Sequence, residues 1–219
     1  MKSVLVIGMG RLGTHLAERL QELGNDVMIV DKDETVIEAL MADFENAYTG
    51  DCTNEDVLRS LGVNNFDHCF VTVGEDFYAT LEITSSLKEL GAHSVVSRAK
   101  RDRQADFLRK IGADEVFYPE RENAEKLAVR YNAENIFDFV ELTSEYSIFE
   151  IAILRGWIGR TIADLRIRQT CGLNIIAIRR GSYLNPTPEG DYVFKEGDHV
   201  VVIGKSSDVF KVSKETEDE

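Results

Sequence analysis

The fold of the chain is decided by residues 4–13, which read VLVIGMGRLG. The four apolar residues at the start are typical of a buried strand, and the glycines that follow are spaced G-x-G-x-x-G. Leucines recur at helical spacing directly afterwards, at Leu12, Leu16, Leu20 and Leu23. A strand, a glycine-rich turn and a helix in this order are the context in which the glycine motif has a binding mechanism.

Each glycine of this motif has its own predicted role. Gly8 makes the tight turn, Gly10 lets the backbone approach a phosphate, and Gly13 lets the helix pack close to the sheet. The helix N-terminus then offers unpaired N–H groups to an anion. Asp31 ends the next predicted strand, where its carboxylate would accept hydrogen bonds from both ribose hydroxyls and repel a 2′-phosphate. The pattern predicts a bound mononucleotide or dinucleotide; the alternative is a glycine turn that binds nothing.

Further apolar segments alternate with helical patterns up to about residue 132. Including the first, the predicted strands are 4–7, 27–30, 47–49, 69–73, 95–97 and 116–118. Near-continuous apolar strands linked by helices are typical of a parallel sheet covered on both faces. Right-handed crossovers favour a doubly wound, Rossmann-like α/β fold. Residues 53–56 predict a capping box at the start of the third helix.

The pattern changes after residue 132, and we place the domain boundary between residues 134 and 135. Extended segments are predicted at 135–143, 147–154, 173–179, 192–194 and 199–203, with a short helix at 161–165. Two of the three prolines and several glycines lie in this part, as a hairpin-rich domain requires. Residues 1–134 are therefore predicted to bind nucleotide, and residues 135–219 to form a small α+β domain with a solvated tail from residue 214.

Composition limits the classes of partner. The net charge is -14, and a chain this acidic is repelled by nucleic acid and by anionic lipid. The three cysteines, Cys52, Cys69 and Cys171, have neither disulfide nor zinc-site spacing and are predicted to be reduced thiols in the cytosol. No apolar run approaches the roughly 18 residues that span a membrane. We therefore expect a cytoplasmic protein that contacts the membrane only through a partner.

Five polar residues outside the glycines are candidates for ligand contact. Arg11 lies inside the glycine loop, where a cation on the first helical turn is slightly unfavourable unless it meets a phosphate. Asp51 either lies near an adenine edge or is a helix-start acid. Arg98 and Lys100 follow the fifth strand as ligand contacts or as surface ion pairs. Glu120 either faces a phosphate through a metal ion or caps a helix.

The sequence pattern contains no reaction centre. A dehydrogenase needs a proton donor near the nicotinamide, but the second domain has only one histidine, His199, and the other three are scattered. No Ser–His–Asp arrangement, HExxH motif or paired cysteine motif can be assembled. The pattern favours a sensor over an enzyme. The alternatives are an NAD-dependent oxidoreductase and a free-standing nucleotide or redox sensor.

The chain resembles the regulatory subunits of Trk/Ktr-type potassium uptake systems, which are built on the RCK (KTN) domain. The motifs that carry the resemblance are residues 6–13, 30–33, 50–53, 111–114 and 119–120, followed by 144–147, 168–181, 185–188 and 197–198. They cover essentially the whole chain in the right order. The resemblance implies a homodimer that assembles into an octameric ring beneath a potassium-translocating membrane subunit, at the inner face of the cell membrane.

The resemblance also implies ligands and the residues that bind them. ATP, ADP, NAD or NADH would bind the N-terminal domain and switch the pore, with Arg11 reaching the γ-phosphate and Mg²⁺ or another cation near Glu120. The implied nucleotide contacts are Gly8, Gly10, Arg11, Leu12, Gly13, Asp31, Lys32, Asp51, Cys52, Arg98, Lys100 and Glu120. The C-terminal domain binds cyclic di-AMP in some relatives, and the matching positions are Ile162, Ala163, Arg168, Asn174 and Ile175. Ala163 departs from the larger aliphatic residue expected there, and core packing is the alternative for Ile162 and Ile175.

Overall fold

The computed structural model describes residues 1–74, 76–132 and 135–215, with side chains up to residue 213. The chain divides into two compact units, residues 1–120 and 121–219. The domain boundary predicted after Glu134 falls on a residue outside the described part, as does the end of the predicted solvated tail, residues 216–219.

The first unit contains a six-stranded parallel sheet with the strand order β3-β2-β1-β4-β5-β6. This confirms the predicted doubly wound α/β fold. Its strands are β1 (Ser3–Ile7), β2 (Asp26–Asp31), β3 (Asn46–Thr49), β4 (His68–Val71), β5 (Val95–Arg98) and β6 (Glu115–Phe117). Its helices are α1 (Arg11–Glu22), α2 (Glu34–Leu40), α3 (Glu55–Leu61), α4 (Phe77–Glu89), α5 (Asp102–Lys110) and α6 (Pro119–Asn132), the last of which continues into the second unit.

Strand β1 lies at the centre of this sheet because both of its faces are apolar. Leu5 and Ile7 belong to the core on one face, and Val4 and Val6 to the core on the other. Successive side chains of a strand alternate between faces, so a continuous apolar run is buried on both sides. Strand β1 pairs with β2 on one edge and with β4 on the other, and the direction of winding reverses between β1 and β4. Such a reversal opens a crevice at the carboxyl ends of the strands.

The predicted capping box at residues 53–56 is wrong by one position. The N-cap of α3 is Asn54, whose side chain accepts a hydrogen bond from the Asp56 N–H. Asparagine is at least as good an N-cap as threonine. The Thr53 hydroxyl instead donates a hydrogen bond to the Asp51 carboxylate, within the turn before the helix.

The second unit contains a five-stranded antiparallel sheet with the order β10-β9-β11-β8-β7. This confirms the predicted small α+β domain. Its strands are β7 (Ile136–Glu141), β8 (Tyr146–Ala152), β9 (Asn174–Arg180), β10 (Tyr183–Asn185) and β11 (His199–Lys205). Its helices after α6 are α7 (Ile162–Leu165), α8 (Ile167–Cys171) and α9 (Ser206–Glu215). Alternate residues of β8 and β11, such as Phe149 and Val200, are buried in one core.

Four segments of the second unit differ from the sequence prediction. Residues 192–194 do not form a strand, because they only make an isolated bridge from Val193 to Thr161. The turn at Lys195–Asp198 follows immediately, and Phe194 is buried in the core. Strand β10 and helices α8 and α9 were not predicted; β10 is short and largely exposed, so it carries no alternating pattern. No helix in the described ranges is long and apolar enough to cross a membrane.

Candidate functional site

A cleft of about 950 Å³ opens at the carboxyl edge of the first sheet, where the winding direction reverses. This is the position at which doubly wound sheets bind ligands. The structure brings eleven of the twelve predicted nucleotide contacts to this cleft, and only Gly13 does not line it. The eleven are Gly8, Gly10, Arg11, Leu12, Asp31, Lys32, Asp51, Cys52, Arg98, Lys100 and Glu120.

The glycine loop has a different steric requirement at each glycine. Gly8 has φ +96°, a conformation that favours glycine. A Cβ added at Gly13 would lie 2.0 Å from the Gly8 carbonyl oxygen and 2.7 Å from the Thr72 hydroxyl, so helix α1 packs directly against the loop. At Gly10 an added Cβ would meet nothing within 4 Å. Gly10 therefore leaves space beside the cleft rather than relieving a contact within the protein.

The N-terminus of α1 presents unpaired donors beside this loop. Gly10 is the N-cap and supplies no side-chain hydrogen bond, and the first turn contains no acidic residue. The first hydrogen bond of the helix runs from the Thr14 N–H to the Gly10 carbonyl, at 2.9 Å. The N–H groups of residues 11–13 therefore have no partner within the helix. With the positive end of the helix dipole, they form a site suited to an anion.

Asp31 is tied to the glycine loop as well as to its own turn. Its carboxylate accepts hydrogen bonds from the Met9 N–H at 2.6 Å and from the Asp33 N–H at 2.9 Å. Each carboxylate oxygen has a further lone pair that can accept another hydrogen bond. Asp31 can thus hold the loop in place and still accept a ribose hydroxyl from the cleft.

The two residues after β3 differ in charge and reactivity. Asp51 accepts hydrogen bonds from the Thr53 hydroxyl at 2.8 Å and the Thr53 N–H at 3.0 Å, and these bonds hold the pKa of Asp51 below its usual value. Asp51 is therefore a turn acid before α3; its contact with adenine stays a prediction. Burial, with the nearby charges of Asp51 and Asp31, raises the pKa of Cys52 to about 12. The Cys52 thiol is neutral and lines the cleft as a small apolar group.

The two basic residues at and just after the end of β5 have different neighbours. The Arg98 guanidinium donates a hydrogen bond to the Glu120 carboxylate, so the ion pair considered for Arg98 is present. The Lys100 N–H donates to the Gln104 side chain at 2.9 Å. Burial alone would raise the pKa of Glu120, but hydrogen bonds, including the one from Arg98, and the charges of Arg98 and Lys100 lower it.

Glu120 does not fit a metal site formed by one chain alone. Among the side chains described, those of residues 1–74, 76–132 and 135–213, no group of three or more His, Cys, Asp or Glu is arranged to hold a metal ion. The carboxylate of Glu120 faces a cation already, the guanidinium of Arg98. A cation at Glu120 would need oxygen ligands from a bound nucleotide, and this role stays a prediction.

Sequence reasoning missed the part of the cleft that comes from β4 and α4. The Thr72 hydroxyl is buried and lies 2.6 Å from the Gly8 carbonyl oxygen and 3.0 Å from that of Ile7, so it ties β4 to the glycine loop. Gly74, Asp76, Tyr78 and Glu82 also line the cleft. The position of β4 beside β1 in a doubly wound sheet was the signal that could have identified these residues, because the reversal of winding lies between the two strands.

The five residues predicted for a second ligand also lie together. Ile162, Ala163, Arg168, Asn174 and Ile175 line a cleft of about 430 Å³ in the second unit. The Arg168 Nε–H donates to the Asn174 side-chain oxygen. Ile162 and Ile175 also pack against the core, so their role in packing does not exclude ligand contact. The Ala163 N–H donates to the Gly190 carbonyl at 2.8 Å, which places position 163 directly against another chain segment.

Comparisons with known proteins cover both units. Residues 4–119 match the model of the TrkA-N domain and residues 146–216 that of the TrkA-C domain. The chain is 38% identical over 213 residues to Ktr system potassium uptake protein C of Bacillus subtilis, covering 97% of this chain and 96% of the relative. It is 31% identical over 214 residues to Ktr system potassium uptake protein A of the same organism, covering 98% and 96%.

A solved structure shares the fold. The GsuK channel bound to NAD matches 94% of this chain with a TM-score of 0.69 and 20% identity. Only 38% of that longer chain is covered. At this identity the likeness shows the fold alone.

Proposed function

The chain belongs to the Trk/Ktr family of potassium uptake proteins with TrkA-N and TrkA-C domains, and on that premise we propose that it is a nucleotide-binding regulatory subunit of a potassium uptake system. The observation that carries the proposal is the cleft itself. The unpaired N-terminus of α1, the carboxylate of Asp31 and the basic side chains of Arg11, Arg98 and Lys100 meet there. These groups complement the phosphates and the ribose of a nucleotide.

The proposed ligand is ATP or ADP, or NAD or NADH. Its phosphates would lie at the N-terminus of α1, where Gly10 leaves space for close approach. Its ribose would contact Asp31, and its adenine would lie near Cys52 and Asp51, with Leu12 and Lys32 as further contacts. The fold relative GsuK, which is a channel bound to NAD, supports this assignment by its architecture.

Regulation would follow from a difference in affinity between two states of the assembly. A nucleotide shifts a conformational equilibrium only by as much as it binds one state more tightly. Arg11 is exposed and lines the cleft, where it could interact with a γ-phosphate that ADP lacks. We propose that this contact separates ATP from ADP, within a homodimer-based octameric ring that binds a potassium-translocating subunit on the cytoplasmic side. Cyclic di-AMP, bound near Arg168 and Asn174, is a proposed second regulator.

A role in catalysis has less support. Of the described residues that line the cleft, none is a histidine. His199 lies in the second unit and contacts Glu150 at 2.9 Å. A redox sensor that uses Cys52 is disfavoured because its raised pKa keeps the thiol protonated at neutral pH. The relatives are named as potassium uptake proteins. We therefore propose that the chain is not an enzyme; turnover of NADH with a small carbonyl substrate would revive the oxidoreductase.

The experiment that tests this function is a cation flux assay. The membrane subunit that co-purifies with the chain is reconstituted into liposomes, and potassium influx is measured with ATP, ADP, NAD or NADH and with the wild-type chain or an Asp31→Ala variant. We expect influx to differ between nucleotides with the wild-type chain and to lose that difference with the variant. Influx that is the same in every nucleotide and with or without the chain would contradict the proposal.

A further inference from the structure

The nitrogen atoms of the Arg98 side chain differ in their hydrogen bonding. Nη2 donates a hydrogen bond to Glu120. Nε is buried and has no hydrogen-bond partner in the part of the chain that the structure describes. The Arg98 side chain is 18% exposed, whereas that of Glu120 is 52% exposed. A buried donor without a partner is destabilising, so Arg98 would gain hydrogen bonds by turning from Glu120 to an anion that also reaches Nε.

The surroundings of Arg98 favour a phosphate as that anion. A Cβ added at Gly74 would lie 2.8 Å from the Arg98 Nη1, so the absence of a side chain at Gly74 leaves room for the guanidinium at the end of β4. Arg98 lines the same cleft as Gly8 and Gly10, and Lys100 lies beside it. A guanidinium binds phosphate through two parallel hydrogen bonds, which matches its geometry better than a single carboxylate contact.

We propose that the phosphate of a bound nucleotide and the Glu120 carboxylate compete for Arg98. When the phosphate binds, the guanidinium turns its donors to the phosphate and Glu120 is released. This inference rests on the proposed nucleotide site. It makes Arg98 a cation that binds the phosphate and Glu120 an internal competitor of the ligand.

The position of Glu120 gives the exchange a consequence along the chain. Glu120 follows Pro119 in the first turn of α6, and it is the last residue of the first compact unit. Helix α6 then continues into the second unit. Loss of the Arg98–Glu120 ion pair would remove this contact between the end of β5 and the first turn of α6. Occupancy of the nucleotide site would thus be linked to the segment that joins the two units.

A double-mutant cycle measured by titration calorimetry tests the exchange. ADP is titrated, in buffer with EDTA, into the full chain as wild type, Glu120→Gln, Arg98→Met and the double variant. An ion pair with a solvent-exposed carboxylate contributes little, so we expect Glu120→Gln to bind ADP about 2- to 5-fold more tightly. Arg98→Met should bind about tenfold more weakly or worse, because charge-assisted hydrogen bonds are lost. In the Arg98→Met background, Glu120→Gln should change ADP affinity no more than Glu82→Gln does.

Glu82→Gln is the matched control, because it removes the same charge from the same cleft. If Arg98→Met does not fold, Arg98→Lys replaces it, since it keeps one charge and loses the paired donors. Tighter binding by Glu120→Gln that persists without Arg98 would overturn the exchange and indicate general repulsion. Weaker binding by Glu120→Gln would also overturn it and indicate a direct contact of Glu120 with the ligand. A wild-type chain that binds no ADP, ATP or NAD would overturn the proposed function and this inference together.

Discussion

The steric roles of Gly10 and Gly13 predict that replacement by alanine destabilises the fold at Gly13 and leaves its stability nearly unchanged at Gly10. Gly13→Ala places a methyl group 2.0 Å from the backbone oxygen of Gly8 and 2.7 Å from the Thr72 hydroxyl. Contacts this short cannot exist, so α1 must move away from the sheet. Gly10→Ala places its methyl group in space with no atom within 4 Å, at φ -70°, which alanine adopts without strain.

The expected magnitudes follow from these contacts. Inserting one methyl group into a well-packed site costs about 1–3 kcal/mol, and Gly13→Ala should reach the upper end because it meets backbone rather than a movable side chain. At Gly10, the lower entropy of the unfolded chain favours alanine while the weaker N-cap disfavours it. The two effects nearly cancel, so we expect a change of less than about 0.5 kcal/mol in the free energy of unfolding. Nucleotide affinity should nevertheless fall, because the methyl group occupies the space that a phosphate needs.

Urea denaturation and nucleotide titration of both variants test this reasoning. Far-UV circular dichroism follows the whole chain, and Trp157, the only tryptophan, follows the second unit. We expect Gly13→Ala to unfold at lower urea by circular dichroism. A Gly13→Ala protein with the wild-type transition by both probes would refute the assigned close packing. Wild-type nucleotide affinity in Gly10→Ala would refute the approach of a phosphate to this loop.

Three further predictions concern stability. Asp198→Ala should destabilise the second unit by about 3 kcal/mol in urea unfolding followed by Trp157 fluorescence. The reason is that the buried Asp198 carboxylate accepts hydrogen bonds from the Arg180 guanidinium, the Tyr192 hydroxyl and the Lys195 N–H. A loss below about 1 kcal/mol would contradict this. Thr72→Val should cost about 1 kcal/mol in the same urea assay by circular dichroism, since the Gly8 carbonyl loses its hydroxyl partner, and an unchanged midpoint would show that this tie is unimportant. Burial alone would raise the pKa of Asp114, but hydrogen bonds from Lys88 and the Val95 N–H, with the Lys88 charge, lower it. The stabilisation by the Asp114 carboxylate is therefore present at neutral pH and is lost as the pH falls below about 4. Asp114→Asn should be less stable than wild type at pH 7 and approach the wild-type stability at pH 3. A difference in stability that grows in acid would contradict this pH dependence.

The sequence was sufficient to predict the first unit because its signals are local. Residues 4–7 form one continuous apolar run, which predicts a strand buried on both faces without any knowledge of its neighbours. The glycine spacing and Asp31 lie at the ends of adjacent strands, so their meeting at one edge follows from the parallel topology. The same reasoning brought Arg98 and Lys100 to that edge.

The features that the sequence did not predict depend on tertiary contacts between residues far apart in the chain. The pairing of Arg98 with Glu120 joins residues 22 positions apart, and it requires the register of β5 with β6. Asp31 has a second role as acceptor of the Met9 N–H, which only the position of the loop reveals. Residues 192–194 have the apolar pattern of a strand, but Phe194 is buried by packing and does not pair in the sheet. Such tertiary effects override local propensity.

Titration calorimetry of the purified full chain with ATP, ADP, NAD and NADH tests the central claim most directly. The account predicts saturable binding of at least one of these nucleotides, one per chain, with affinity strongly reduced in Asp31→Ala and in Gly10→Ala while both variants retain a cooperative thermal transition. Binding of a nucleotide would also raise the melting temperature of the wild type. Failure of all four nucleotides to bind, or binding unaffected by both substitutions, would contradict the assignment of the cleft as a nucleotide site.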